Sequence, residues 1–384
     1  MNAIKISFNA PHLTGKEVHY MYDAVFNKHI SGNGKYTKLC HQFFQEKYHF
    51  NKVLLTSSCT DALEMSALLI NIQPGDEVIM PSYTFVSTAN AFILRGANIK
   101  FIDSYQRHPN MNADLIEECI TPKTKAIVVM HYAGVANDMK KILSIAKKYN
   151  LYVIEDAAQC IDSFYIDENN QKIPLGSIGD LSAFSFHETK NIISGEGGML
   201  VVNNKEFEKR SEIIWEKGTN RSAFFRGEVD KYGWVDVGSS FLPSDIIAAF
   251  LYAQLEELER IQQKRLWIWN TYYKLLKPLA DQGLFELPYI PDYATNNAHM
   301  FYLVCRSLDE RTKLIQHLKN KGIQAVFHYL SLHTSPFYKD KHDDRVLPNS
   351  DRFADCLVRL PFYYDLSEGD LEYICEEIKN FYQK

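Results

Sequence analysis

The stretch SFHETKNIISGEGG, residues 185–198, sets one lysine, Lys190, after an apolar run and before a glycine-rich turn. Most lysines lie on solvated faces, where the ammonium stays hydrated, so a chemical role for Lys190 needs company. Three other stretches provide it. VLLTSSCTDALEMSALLI, residues 53–70, reads as a strand, a turn of small polar residues and a helix starting near Thr60. Free backbone N–H groups and the helix dipole then converge on one point suited to a phosphate. The same residue types cap ordinary helices, and the segment is neither a Walker loop nor a G-x-G-x-x-G. In LYVIEDAAQC, residues 151–160, a buried strand ends in Glu155 and Asp156 at the carboxyl edge of a sheet, where ligands gather in open α/β folds. A carboxylate there can cap a helix, but a largely buried aspartate requires a cationic partner, and a protonated pyridine nitrogen is one. PSYTFVSTANA, residues 81–91, carries Tyr83 and Phe85 through a turn into a helix. Aromatics in such turns commonly fill the core, yet Phe85 has the flat face that a heteroaromatic ring stacks on.

Pyridoxal phosphate makes all four demands at once: an anion site, a carboxylate for its pyridine nitrogen, an aromatic face, and a lysine to hold its aldehyde as a Schiff base. The order of the stretches suits it, and the pattern calls for no metal.

The scaffold that must position these residues is legible as alternating short apolar runs and longer segments of helical period, the pattern of a largely parallel sheet covered by helices. Strands are expected at residues 53–55, 77–80, 99–102, 126–130, 152–154 and 183–186, and helices at 61–69, 85–94 and 139–149. Residues 244–276 read as one long helical stretch within which a second domain begins. Beyond it lie a strand at 300–305 and helices at 310–321 and 371–382, a smaller α+β module. The expected division is a large cofactor domain, residues 1–250, and a small C-terminal domain, residues 251–384, with the ligand in the cleft.

Composition narrows the function. The 384 residues are 46% hydrophobic, enough for a large core, and a net charge of −5 gives no general attraction to nucleic acid. Any anionic ligand must be held by local cations. The seven cysteines are scattered, with no C-x-x-C pair for zinc or redox work. The start, MNAIKISFNAP, lacks the apolar core of a signal peptide, and no stretch reaches the roughly 18 apolar residues that span a bilayer. The cytoplasm is the expected location.

The ordered set TSSCTDAL, PSYTFVSTANA, HYAGV, VIEDAAQ, FSFHETKN and GEGG resembles the sugar-nucleotide aminotransferases of the DegT/DnrJ/EryC1/StrS family, and the likeness runs nearly end to end. It implies an α/β fold of the fold-type-I pyridoxal phosphate aminotransferases, with a mostly parallel mixed sheet flanked by helices. By position, the resemblance makes Lys190 the Schiff-base lysine, Asp156 the partner of the pyridine nitrogen and Gln159 the neighbour of the ring hydroxyl. It stacks Phe85 on the ring and gives the phosphate to the N–H groups of Cys59 and Thr60 and the hydroxyl of Ser185. Many members send an asparagine across a dimer interface to the phosphate. Here Ser240, in GSSFL, holds that position, so the resemblance implies a homodimer with shared active sites.

The resemblance further implies L-glutamate as amino donor and C4 of dTDP-4-keto-6-deoxy-D-glucose as acceptor. For the diphosphate, Lys217, Asn220, Arg221 and Arg226 in WEKGTNRSAFFRGEVDK are candidates, and His328, Tyr329 and His333 in FHYLSLH are candidates for the cleft wall. A solvated basic loop is the plainer reading of the first group. A sugar dehydratase of this fold would carry histidine at position 190, and a nicotinamide-linked dehydrogenase would show a glycine fingerprint after its first strand. With the galacto-configured 4-amino product expected, the alternatives that remain are the gluco epimer, another nucleotide-linked keto sugar as acceptor, and a non-catalytic cofactor-binding regulator, the last separated from an enzyme by release of 2-oxoglutarate.

Overall fold

A computed structural model describes residues 4–383. Helices α1 (Glu17–Phe26) and α2 (Lys35–Tyr48) precede β1 (Lys52–Thr56), α3 (Cys59–Leu69), β2 (Glu77–Pro81), α4 (Val86–Ile93), β3 (Asn98–Ile102), β4 (Thr124–Met130), α5 (Met139–Tyr149) and β5 (Tyr152–Asp156). A small hairpin, β6 (Phe164–Ile166) and β7 (Lys172–Pro174), leads to β8 (Leu181–Ser185), β9 (Gly198–Val202), α6 (Glu208–Trp215) and α7 (Arg221–Phe225). Then come α8 (Asp245–Leu255), α9 (Leu258–Ala280), β10 (Tyr302–Val304), α10 (Leu308–Asn320), α11 (Pro348–Cys356), β11 (Leu357–Arg359) and α12 (Glu368–Tyr382).

Seven strands form one sheet in the order β1-β9-β8-β5-β4-β2-β3, parallel except at β9, which runs against both of its neighbours. Strand alternation sends Val53, Leu55, Ile127, Val129 and Val153 into a core under α1, α2, α5 and α8. Leu54, Ala126, Val128, Ile154 and Leu200 face a second core under α3, α4 and α6. Because both faces are covered, the strands read as continuous apolar runs. The reversed strand has a specific result. Gly198, the first residue of β9, pairs with Thr56 at the end of β1 and with Ser185 at the end of β8, so the glycine-rich turn comes back to the carboxyl edge where β1, β5 and β8 end.

A third core gathers Ile268, Tyr272 and Leu276 of α9 with Leu303, Leu314, Val358 and Ile374, and Ile6 joins it from the N-terminal segment. The stretch at 244–276 is two helices, not one. It breaks at Glu256 and Glu257; α8 packs on the first core, and α9 starts there with Leu258 and Ile261 before passing to the third at Ile268. Lys16 bridges both glutamates at the bend, at 2.9 and 3.7 Å. Helical period alone is blind to a change of packing partner. Among the described residues no helix is long and apolar enough to cross a membrane.

Candidate active site

The carboxyl edge of the sheet opens on a cavity of about 570 Å³ lined by Cys59, Thr60, Phe85, Asp156, Gln159, Ser185, Lys190, His328 and Tyr329, among others. Its anion end is built by α3. Ser58 is the N-cap, extended at φ −156°, and its hydroxyl accepts the Asp61 N–H at 3.1 Å. The Ala62 N–H reaches the Ser58 carbonyl at 3.4 Å. Of the first-turn donors that lack intrahelical partners, this leaves those of Cys59 and Thr60. Gly198 lies directly beneath. A Cβ there would sit 2.3 Å from the Ser58 carbonyl carbon and 2.4 Å from the Cys59 nitrogen, so only glycine lets β9 pass so close to the helix start. Thr60 Oγ1 donates to Ser87 at 2.8 Å, and Ser185 Oγ accepts the His187 N–H at 3.4 Å, which leaves the Ser185 proton free.

The carboxylate end divides two adjacent acids. Asp156 is 4% exposed and accepts from Thr88 Oγ1 at 2.7 Å and from the Ala158 N–H at 3.2 Å. Burial raises its carboxyl above the ordinary range despite these bonds and the nearby charge of Lys190. Glu155 turns the other way. It accepts the N–H groups of Gly176, Ile178 and Gly179 at 2.6–2.8 Å and faces His131 Nε2 at 3.0 Å. Since the Asn137 N–H donates to His131 Nδ1 at 3.1 Å, the ring carries its proton on Nε2 and gives it to Glu155. Burial works against the Glu155 charge, but the His131 bond and the backbone donors hold its carboxyl below the usual range. Glu155 is therefore a structural acid outside the cavity.

Lys190 enters from the turn after β8, and burial pushes its ammonium below the ordinary lysine value, toward the neutral amine that a nucleophile requires. Phe85, the N-cap of α4, keeps 54% of its surface open and lies 6.1 Å from the Tyr329 ring. Gln159 is oriented by the Ala133 N–H, which donates to its Oε1 at 2.6 Å, so its Nε2 points to Tyr329 Oη at 2.9 Å. His328 stacks on Tyr329 at 3.6 Å and bonds Tyr132 Oη through Nδ1 at 2.7 Å.

The other candidates lie elsewhere. Lys217, Arg221, Arg226 and Ser240 line a second cleft, of about 890 Å³, with His29, Asn33 and Lys38. Within it Arg226 is already paired with Glu212 and Glu228, at 2.8 and 2.7 Å. Asn220 staples its own loop by accepting the Gly233 N–H at 2.8 Å. His333 is buried and bonded to Ser82 Oγ at 2.8 Å, away from the Lys190 cavity. Two cavity residues were not legible in the sequence. His299 follows an undistinguished NNA run, and Arg359 sits in a short strand of the C-terminal part. Arg359 Nε is buried and has no hydrogen-bond partner among the described residues, and burial pulls the guanidinium below its ordinary value.

An anion cradle at a helix start, a buried acid, an open aromatic face and a half-buried lysine in one cavity fit pyridoxal phosphate. Fold and cavity together define a pyridoxal-phosphate-dependent aminotransferase. The chain belongs to the DegT/DnrJ/EryC1/StrS aminotransferase family, whose model matches residues 12–379, and it is a sugar-nucleotide aminotransferase. It is 32% identical to GDP-perosamine synthase of Escherichia coli O157:H7 over 379 residues, 97% of each chain. It is 31% identical to the spore coat polysaccharide biosynthesis protein SpsC of Bacillus subtilis over 336 residues, 84% of each. Among solved structures, the putative sugar aminotransferase Spr1654 of Streptococcus pneumoniae in its PMP form superposes with a TM-score of 0.90 at 25% identity, covering 99% of both chains.

Proposed function

We propose that the enzyme moves the amino group of L-glutamate to C4 of dTDP-4-keto-6-deoxy-D-glucose, giving the galacto-configured 4-amino-4,6-dideoxy sugar and 2-oxoglutarate. The observation that carries the reading is the convergence of Lys190, Asp156, Phe85 and the α3 start on one cavity. When bound, the cofactor supplies an electron sink for the carbanion formed at the donor Cα. The protein's residues do the rest. The N–H groups of Cys59 and Thr60, with the Ser185 hydroxyl, would hold its phosphate, and Phe85 would cover one ring face. Asp156 would keep a proton on the ring nitrogen, an effect strongest in a dry site. Gln159 Nε2, which donates one proton to Tyr329 Oη, would offer its second to the ring hydroxyl. Lys190 Nζ, lowered by burial, would hold the aldehyde and, once released, would carry the proton it takes from the donor Cα to the former aldehyde carbon. The Arg359 guanidinium, whose buried Nε has no hydrogen-bond partner among the described residues, supports a dicarboxylate donor, because a fork-shaped cation matches a carboxylate.

On this reading two chains share each site. Ser240 stands apart from the Lys190 cavity of its own chain, beside Lys217 and Arg221, and serves the partner's cofactor phosphate while the basic residues take the substrate diphosphate. The cytoplasm, where nucleotide sugars are made, and a role in a cell-surface polysaccharide such as enterobacterial common antigen complete the proposal. The GDP-linked product in the name of the Escherichia coli relative favours one second reading, a GDP-linked keto sugar as acceptor. Incubation of the purified protein with glutamate and each keto sugar in turn, followed by NMR of the product, tests both. A GDP product alone, or an equatorial C4 amine, overturns the first reading.

A further inference from the structure

Lys190 is followed at once by Asn191, whose side chain points into the protein and makes three bonds. Its Nδ2 donates to the Asn297 carbonyl at 2.9 Å and to Gln262 Oε1 at 2.8 Å. A backbone carbonyl can only accept, so the amide orientation is fixed and Oδ1 must face the third partner, His299 Nδ1, at 2.8 Å. An amide oxygen can only accept in turn. The proton of the His299 ring therefore sits on Nδ1, and Nε2 keeps a bare lone pair. The backbone that carries the ring is anchored on both sides. The His299 N–H is held by Asn297 Oδ1 at 3.0 Å and the His299 carbonyl by Arg265 Nη2 at 2.6 Å. His299 is buried and lines the same cavity as Lys190.

The tautomer matters to a neighbouring amine. A ring presenting N–H would donate into the single lone pair of a neutral lysine and block it. A ring presenting a lone pair accepts an amine N–H and leaves the lysine lone pair free. We propose that Asn191 fixes His299 as a hydrogen-bond acceptor for the Lys190 ε-amine, which makes His299 a positioning residue that keeps the amine lone pair available for attack. Burial and the nearby charges of Lys190, Arg265 and Arg359 hold the imidazole well below its ordinary pKa, so it stays neutral in the working range. The inference rests on the reading of Lys190 as the nucleophile, and the experiment separates the two.

In protein purified without cofactor and labelled with 15N-histidine, His299 is assigned by the signal lost in His299→Gln. The expected spectrum shows Nδ1 protonated and Nε2 bare at every pH from about 6 to 9. An Nε2–H tautomer, or an imidazolium in that range, overturns the proposal without any variant having to fold. The second measurement is the rate of imine formation between Lys190 and added pyridoxal phosphate, read by absorbance after rapid mixing. His299→Leu should slow it about tenfold, the effect of one ordinary hydrogen bond, and shift the pH midpoint of the rate. His299→Gln, which can still offer a side-chain oxygen, should recover most of the loss. Wild-type rates in a folded His299→Leu, with Lys190→Ala unreactive, overturn the inference alone. Imine formation that persists in Lys190→Ala overturns the reading of Lys190 and the inference with it.

Discussion

Glu155 and Asp156 are consecutive residues of β5, yet their carboxylates lie on opposite faces of the sheet and carry opposite shifts. Asp156 enters the cavity with its pKa raised, whereas Glu155 is locked by three backbone donors and His131 with its pKa lowered. Exchange of either acid for its amide should separate catalysis from stability. Asp156→Asn should lose most of its turnover and bind pyridoxal phosphate more weakly by roughly 1.5–3 kcal/mol, the worth of a charge-assisted bond. Glu155→Gln should keep its cofactor affinity but melt earlier, since its charge-assisted bonds belong to the fold. Steady-state kinetics and thermal melts on both variants check this, and an equal catalytic loss in Glu155→Gln counts against the assignment.

The two shifts also set the pH behaviour of cofactor-free protein. A carboxyl whose folded pKa is depressed contributes stability above its unfolded pKa, and that stability is lost as pH falls through the folded value. Glu155 should thus stabilise the fold at neutral pH and release it in acid. Asp156 has the reverse sign, because burial raises its folded pKa above the ordinary 3.8. It favours the fold only while protonated and opposes it as pH rises through that raised value. Cofactor-free Asp156→Asn should therefore melt higher than wild type at pH 7, with the gap closing below about pH 4. Melting curves across that range give the test, and a gap independent of pH contradicts it.

Lys190→Ala should fold normally, lose the visible absorbance that wild type gains with pyridoxal phosphate, and show no turnover. Near-normal amino transfer by this variant would sink the functional proposal.

Gly198 has no room for a side chain beneath the start of α3. Gly198→Ala should push the Cys59 and Thr60 donors out of line, at a cost of about 1–3 kcal/mol from overpacking. Titration with pyridoxal phosphate and with unphosphorylated pyridoxal isolates the site of damage. The expected loss falls on the phosphorylated ligand alone, and an equal loss for both argues that the anion cradle is elsewhere.

Shared sites predict complementation. Ser240→Asp sets a carboxylate against the partner's cofactor phosphate and should weaken cofactor binding. Mixed with Lys190→Ala, it forms heterodimers in which one site carries both lesions and the other neither, so activity should return on mixing. A fully active monomer in sedimentation analysis excludes the arrangement.

The residues of the cavity were legible in sequence where chemistry concentrates in short runs. TSSCTDAL, VIEDAAQ and FSFHETKN each place a functional group at the end of an apolar strand, and β1, β5 and β8 end within a residue or two of where the apolar runs stop. The strand β9 left no separate mark, since GMLVV merges with the turn before it. Nor did the break between α8 and α9, where no glycine or proline stands. His299 and Arg359 escaped notice because their surroundings are tertiary. One is defined by the Asn191 amide far earlier in the chain, the other by a place in the cavity lining that a three-residue strand does not announce.

The reversed strand also orders events during synthesis. Lys52 of β1 pairs with Val202 of β9, a residue roughly 150 positions further along, and so late a contact makes the β1 edge slow to close. A nascent chain that has not yet emerged as far as Gly198 has α3 but nothing beneath its start, and no neighbour for β1. The anion cradle thus depends on a strand made long after the helix it supports, and His299 and Arg359 of the same cavity are made later still.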